Sequence, residues 1–555
     1  MHFYSKPINS NNRTFLGEHV TGFDYIIIGS GTAGATLAAR LSEDNTARVL
    51  VLEGGGIDRG FWLKMPVGYY KSIYDKRVSH LYRGDPDPGI GGRRMDCPRG
   101  RVVGGSSSIN GLIYIRGQHA DFDDWAALGA KGWAFKDVLP HFRAIETYDG
   151  PASQLRGAHG PLQISDLRHN NPACDDWLQA AKGYGLPQNN DFNGETAYGV
   201  GRYQLTLRGR LRDSAATAYL HPALQRNNLK LETHAHVTEI LFDGHRASGV
   251  RYYQGGQTHE VHADCEVILC GGSVQSPQLL QLSGIGPAEH LRKHDISVRH
   301  DASEVGENLQ DHLQMRTIVE MDGRGASLND HIRNPLSLAR MGLEWMLKAR
   351  GPLTVGAGQV GGAACTKYAE NGRPDLQLFV MPLSVDKPGK PLHKYSGFTT
   401  SFWQCHPESR GSIKITSADP FSDPQICTNY LSAEKDQKVI VEGMKLVREL
   451  YNRPEFRHRW KREIIPGAEH QTDTEILNAV RQMAGTVYHL VGTCRMGSDA
   501  NAVVDAELRV NGVEGLRVVD ASVMPKITSA NTNAPTYMIA EKAAAIIRAD
   551  ASDTK

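Results

Sequence analysis

The chain has 555 residues, more than one ordinary core accommodates and enough for two large packed units. Its 62 basic and 61 acidic side chains leave a formal net charge of +1, which gathers no polyanions, so nucleic acid is excluded as a partner and a compact, uncharged small molecule is favoured. Eight cysteines (Cys97, Cys174, Cys265, Cys270, Cys365, Cys405, Cys427 and Cys494) are scattered without C-x-x-C pairs or metal-ligand spacing, which points to reduced thiols, no metal site and a cytoplasmic location, with peripheral membrane association left open.

In chain order, the opening stretch MHFYSKPINSNNRTF has neither a charged region followed by an apolar one nor a small-residue cleavage site, so no secretory signal is expected. No apolar run approaches the length of a transmembrane segment. The β-branched run Asp24 to Ile28 predicts a strand, Gly29-Ser-Gly31-Thr32-Ala33-Gly34 a tight turn, and Ala35 to Leu41 a helix. A second buried strand, Ala47 to Leu52, ends at Glu53, 19 residues after Gly34. Together these predict a βαβ unit whose glycines permit a sharp turn, a backbone pressed on a pyrophosphate and a helix packed close to its strand. Glu53 accepts from ribose hydroxyls and repels a 2′-phosphate, so the pattern fits FAD or NAD and not NADP.

Residues 56 to 100, rich in Gly, Pro and Arg with little periodicity, predict a long covering loop. The tract Gly100-Arg-Val-Val103-Gly-Gly105-Ser-Ser-Ser-Ile-Asn110-Gly111 gathers hydroxyls and an amide in one loop, suited to a flat polar ring system. Further on, Leu229 to Ile240 and Ala247 to Tyr253 predict paired strands, and Glu266 to Leu269 a buried strand that runs into Gly272-Ser-Val-Gln-Ser-Pro and a helix. Between about 315 and 480, helical patterns (Ser337 to Lys348, Glu434 to Tyr451) alternate with strand-like runs (Leu376 to Met381, Ser412 to Ile415). The chain closes on a strand, Leu516 to Val519, then Asp520-Ala521-Ser, then a helix from about Ala534 to Ala549.

The two glycine-led tracts at 100–111 and 272–286, with Val305-Gly-Glu-Asn-Leu-Gln-Asp-His312 and Val518-Val-Asp-Ala-Ser-Val-Met-Pro525, resemble the signatures of the glucose-methanol-choline (GMC) oxidoreductase family, and the likeness runs from about residue 22 to 548. The resemblance implies a mixed α/β chain (α+β overall) with a Rossmann-type FAD-binding domain and a discontinuous substrate-binding domain built on a sheet with helices. The expected division is 1–165, 225–315 and 500–555 for the former, and 166–224 and 316–499 for the latter. It also implies FAD as hydride acceptor for an alcohol substrate, with oxygen or another electron acceptor completing the cycle. Beyond the fingerprint glycines and Glu53, cofactor contacts are expected at Val103, Gly105, Asn110, Gly111, Leu112, Ile113, Val237, Tyr488, Asp520 and Ala521. The histidine that links FAD covalently in some relatives is Ile109 here, so non-covalent FAD is expected, and a tryptophan common in the family's covering region is replaced by His80.

Alcohol oxidation needs a base for the hydroxyl proton while hydride leaves for flavin N5, and imidazole suits neutral pH. Among 23 histidines, His489 stands in Thr486-Val-Tyr-His-Leu-Val-Gly-Thr-Cys-Arg-Met-Gly497, which resembles the family's active-site motif with Leu490 in place of its usual proline. The family's second active-site position falls at Asn531, with Asn533 as the alternative; His312, His406 and Cys494 are expected to be structural. No acidic or aromatic cage for a quaternary ammonium is visible, which favours a neutral primary alcohol, aromatic or aliphatic. Competing readings are a relative that retains FAD and cleaves cyanohydrins, and a catalytically silent flavin-binding protein.

Overall fold

Phe23–Ile28 (β1) forms because its last four residues, all apolar and mostly β-branched, are buried on both faces of a sheet. The computed structural model describes residues 22–553 apart from 324 and 326. The opening stretch, read as lacking a secretory signal, lies outside the described residues. β1 pairs in parallel with Val49–Glu53 (β2), Tyr25 opposite Val49 and Ile28 opposite Leu52, and the helix Thr32–Leu41 (α1) connects them. The helix therefore begins inside the glycine motif, three residues earlier than its apolar pattern suggests. At Gly34 a β-carbon would stand 1.9 Å from the Gly29 carbonyl oxygen, so helix and turn approach this closely only with glycine there.

The first sheet has the order Leu229–Thr233, β2, β1, Gln257–Leu269, Arg246–Gln254, His236–Asp243, with Leu516–Val518 also joined to Gln257–Leu269. The run expected as one strand from 229 to 240 is two: His234 takes a left-handed φ of 56°, and the chain passes from a parallel pairing with β2 to an antiparallel one with Arg246–Gln254. The closing helix is Asn533–Asp553, bound to α1 through an Arg40–Glu541 ion pair at 2.9 Å.

A second sheet runs Val360–Ala364, Leu376–Met381, Gly397–Gln404, Leu313–Met321, Trp460–Ile465, and Gly485–Thr486 also pairs with Leu313–Met321. The helix Glu434–Asn452 packs apolar residues such as Val439, Met444 and Val447 into the core that the sheet shares. A four-stranded sheet draws Glu146–Tyr148 and Leu162–Ser165 together with Leu205–Arg208 and Leu211–Arg212, so it spans the boundary expected at 165/166.

Residues 56–100 differ from the expected irregular loop. After the short helices Phe61–Lys64 and Tyr69–Ser72, Ser79–Asp87 and Arg93–Gly100 form an antiparallel hairpin, with Tyr82 opposite Cys97. Composition hid it because the ribbon is held by its ladder and not by an apolar alternation, and the register breaks between Arg83 and Pro86. The segment nevertheless covers the site, since Tyr69, Tyr74 and Arg99 line its cavity.

Candidate active site

The carboxyl ends of β1, β2 and Gln257–Leu269 open into a cavity of about 580 Å³ that reaches the face of the second sheet. Its cofactor half is built from close backbone approaches. Gly105, at φ 53°, lies so near α1 that a β-carbon there would stand 2.7 Å from the Gly31 Cα, which leaves a floor free of side chains where a pyrophosphate can lie against amides. Glu53 is buried at the end of β2; its carboxylate accepts from Ser30 N at 3.0 Å, Ser30 Oγ at 2.7 Å and Gly55 N at 2.7 Å. Burial raises its pKa against the pull of these donors. Three of about four acceptor positions are filled, so one direction stays open to a ribose hydroxyl.

Asp520, also buried, joins two parts of this wall. Its Oδ2 accepts from Gly272 N at 2.8 Å and Ser276 Oγ at 2.6 Å, at the start of the helix Gly272–Leu282, and its Oδ1 accepts from Ser522 N at 2.8 Å. Asp520 therefore caps the short 3-10 turn Ala521–Val523, and the closing helix, expected from about Ala534, begins at Asn533. Asn533 accepts from Thr32 Oγ1 at 2.7 Å and so ties that helix to the fingerprint turn. Asn110 Oδ1 accepts from Leu112 N at 3.1 Å and from Arg212 Nη1 at 2.8 Å, which fixes the loop that carries Gly111, Leu112 and Ile113.

The half that holds His489 follows from strand pairing. Leu313 lies opposite Thr486, which brings Asp311 and His312, just before one strand, beside Tyr488 and His489, just after the other. Asp311 accepts from His489 N at 2.8 Å and from the hydroxyls of Thr486 and Tyr430, and so anchors the loop. The His489 ring, 8 % exposed, has Nε2 3.1 Å from Asn531 Nδ2 and Nδ1 3.0 Å from His312 Nδ1. His312 Nε2 lies 3.0 Å from the Cys405 carbonyl oxygen. Burial, then His312 and Arg99, hold the His489 pKa well below 6.5, and burial pushes His312 down to about 4. Both rings are therefore neutral at pH 7. The ordinary histidine pKa assumed from sequence is corrected: the site strips the ring of the water that would stabilise its charge.

Of the expected residues, Gly29, Gly31, Thr32, Ala33, Glu53, Gly105, Asn110 to Ile113, Val237, Tyr488, His489, Asp520, Ala521 and Asn531 all line this one cavity. Gly34 serves helix packing, and Val103 stands in the core with its N–H donating to Gly56 O at 2.9 Å, neither forming the wall. His80 pairs with Asp423 at 2.7 Å and stacks on Tyr82. Ser30 was missed although its hydroxyl sits inside the G-x-G turn, and Arg99, which donates to the Tyr488 carbonyl oxygen at 2.7 Å, lay within the segment read as loop. His312, expected to be structural, touches the expected base.

The walls fit FAD: a floor without side chains, an open acceptor direction on Glu53, and three buried polar atoms without a partner among the described residues, Asn531 Oδ1, Arg99 Nη2 and Trp403 Nε1. A dinucleotide cradle that opens onto a buried histidine and a half-buried amide defines a cofactor-dependent oxidoreductase. Residues 23–314 and 407–540 match the two models of the family described as GMC oxidoreductase. The chain belongs to that family, and it is an FAD-dependent oxidoreductase acting on CH–OH groups. It is 42% identical over 548 residues to the oxygen-dependent choline dehydrogenase of Chromohalobacter salexigens, covering 96% of each chain, and 39% identical over 533 residues to the alcohol dehydrogenase [acceptor] of Pseudomonas putida, covering 95% of each. Among solved structures it is similar to pyridoxine 4-oxidase from Mesorbium loti, with a TM-score of 0.85 at 29% identity over 94% of this chain and 99% of that one.

Proposed function

We propose that the enzyme oxidises a neutral primary alcohol, aromatic or aliphatic, to its aldehyde, with His489 taking the hydroxyl proton and Asn531 holding the oxygen. The observation that carries this reading is the 3.1 Å separation of His489 Nε2 and Asn531 Nδ2 inside the cavity. One oxygen can bridge two nitrogens so spaced, donating its hydrogen to His489 and accepting from the amide. Bound FAD supplies the acceptor for the hydride that leaves the alcohol carbon.

The tautomer of His489 follows from its neighbours. A backbone carbonyl only accepts, so His312 Nε2 carries the hydrogen that points at Cys405 O. With both rings neutral, His312 Nδ1 then holds a lone pair, His489 Nδ1–H donates to it, and the lone pair of His489 is left on Nε2, where it accepts from Asn531 Nδ2 until a substrate oxygen comes between them. A base of depressed pKa takes the proton as the carbon–hydrogen bond breaks, when the hydroxyl oxygen is becoming a carbonyl and its hydrogen turns acidic.

The substrate end supports an uncharged alcohol. Phe379, Met381, Trp403 and Val487 give it an apolar wall. Of the three carboxylates that line the cavity, Glu53 and Asp520 belong to the cofactor half, and Asp96 is engaged by Lys387 at 3.1 Å. The Lys387 ammonium lies 5.1 Å from the Tyr74 ring centre, and the half-buried Arg316 guanidinium also lines the cavity, bonded to the Val385 and Asp386 carbonyl oxygens. Cations thus hold the places where a quaternary ammonium would seek a ring face or a carboxylate. In a panel of benzyl alcohol, straight-chain alcohols and choline, kcat/KM is expected to be at least about 100-fold higher for the best neutral alcohol, the size of one unfavourable buried charge contact. A preference for choline would reverse the assignment.

Non-covalent FAD rests on Ile109, a buried hydrocarbon on the cavity wall with no atom to bond the flavin. Acid precipitation is expected to leave all yellow colour in the supernatant; flavin retained in the washed pellet would contradict this. Free cysteines throughout the described chain fit a reducing, cytoplasmic compartment.

A further inference from the structure

The surface helix Pro335–Lys348 turns its apolar side the wrong way for one packed on a core. Leu336, Ala339, Leu343, Met346 and Leu347 recur at the three- and four-residue spacing that makes one stripe. Yet Leu336 is 82 % exposed, Leu343 57 %, Met346 54 % and Leu347 78 %, and of the whole helix Met341 is the one buried residue. Ile332 and Leu338 add further exposed apolar surface beside it.

Polar contacts hold the helix in this orientation. Asn334 Oδ1 caps its start by accepting from Leu336 N at 3.0 Å, Trp345 Nε1 donates to Arg210 O at 3.0 Å, and Arg210 Nη1 returns a bond to Met346 O. Around the stripe stand Arg340, Lys348 and Arg350, exposed and without an ion pair among the described residues. The helix's one acid, Glu344, folds back toward Gly351, where a β-carbon would stand 2.7 Å from its Oε2.

These features choose between two occupants. A second copy docked on the same stripe about a two-fold axis would bring Arg340 against its own counterpart and place the uncompensated cations of both copies around an apolar seam. An anionic bilayer surface instead receives the leucines below the headgroups and the cations among them. The helix is 14 residues long, and no helix among the described residues can cross a membrane, so the contact lies in the plane of the interface.

We infer that Pro335–Lys348 docks the enzyme on an anionic phospholipid surface, with Leu336, Leu343 and Leu347 entering the acyl boundary and Arg340, Lys348 and Arg350 on the headgroups. The chain leads from this helix through the short turn Pro352–Thr354 to Ala357, which lines the cavity. The test is flotation of the FAD-loaded enzyme with phosphatidylcholine vesicles, with and without phosphatidylglycerol. Wild type is expected to float with the anionic vesicles and not with neutral ones. The Leu336→Ser/Leu343→Ser/Leu347→Ser variant is expected to lower the bound-to-free ratio tenfold or more, with its flavin spectrum and dye-coupled turnover unchanged. Arg340→Glu/Lys348→Glu is expected to erase the preference for phosphatidylglycerol. Wild type left in the soluble fraction at both compositions would overturn the inference, as would a wild-type dimer that the triple leucine variant converts to monomer.

Discussion

Replacing His489 by alanine is expected to slow anaerobic reduction of the bound flavin by roughly 10²–10⁴-fold, the range for loss of a positioned base. The ring lines the cavity with Nε2 beside Asn531. Its removal takes away the acceptor for the hydroxyl proton but none of the groups that shape the cofactor floor. Glu53, Asp520 and the Gly31–Gly105 approach are untouched, so the FAD spectrum should remain that of wild type. Asn531→Ala should cost less, because the amide orients an oxygen and does not receive its proton. If the alanine at 531 costs as much as that at 489 or more, the principal role passes to Asn531. Wild-type reduction rates in His489→Ala with saturating alcohol would end the case for a histidine base.

How far this site is legible in sequence depends on whether a residue's role is local. Gly34 and Glu53 are readable because the steric demand of a strand–turn–helix and an acid at the next strand end fall within one short unit. His489 and Asn531 are readable through the motifs around them, although 42 residues separate them in the chain. His312 is not, since its contact with His489 arises from the pairing of Leu313 with Thr486, and nothing in the local pattern says which histidine will face which. The hairpin Ser79–Gly100 escapes for a different reason: its polar, proline-containing strands lack apolar alternation, and the bonds between them leave no periodic trace. The outward stripe of Pro335–Lys348 is periodic in sequence, but periodicity locates a stripe without saying whether protein or something else covers it.

His312→Leu is expected to lower kcat roughly 10- to 100-fold with little change in KM, the usual cost of losing a partner that orients a functional side chain. Leucine fills the space but offers no lone pair, so His489 Nδ1–H loses its acceptor and the ring is free to place its hydrogen on Nε2, where the substrate needs a base. His312→Asn, whose Oδ1 stands near the place of Nδ1, should retain most of the activity. The pH profile separates positioning from packing. With the His489 pKa held well below 6.5, flavin reduction in wild type should be level from neutral pH down past that value, and fall only when more acid solution protonates Nε2. The charged or titratable groups around the two rings are Arg99, Asp311, His406 and Asp121. Since His312 itself depresses the His489 pKa, His312→Leu should move the acid limb upward, toward the ordinary histidine range. In the His489→Ala background the same substitution should add almost nothing, because its effect passes through the missing ring. If His312→Leu binds FAD and matches wild type in both kcat and acid limb while His489→Ala is slow, the base assignment stands and the tautomer argument fails; if His489→Ala is also fast, both fail.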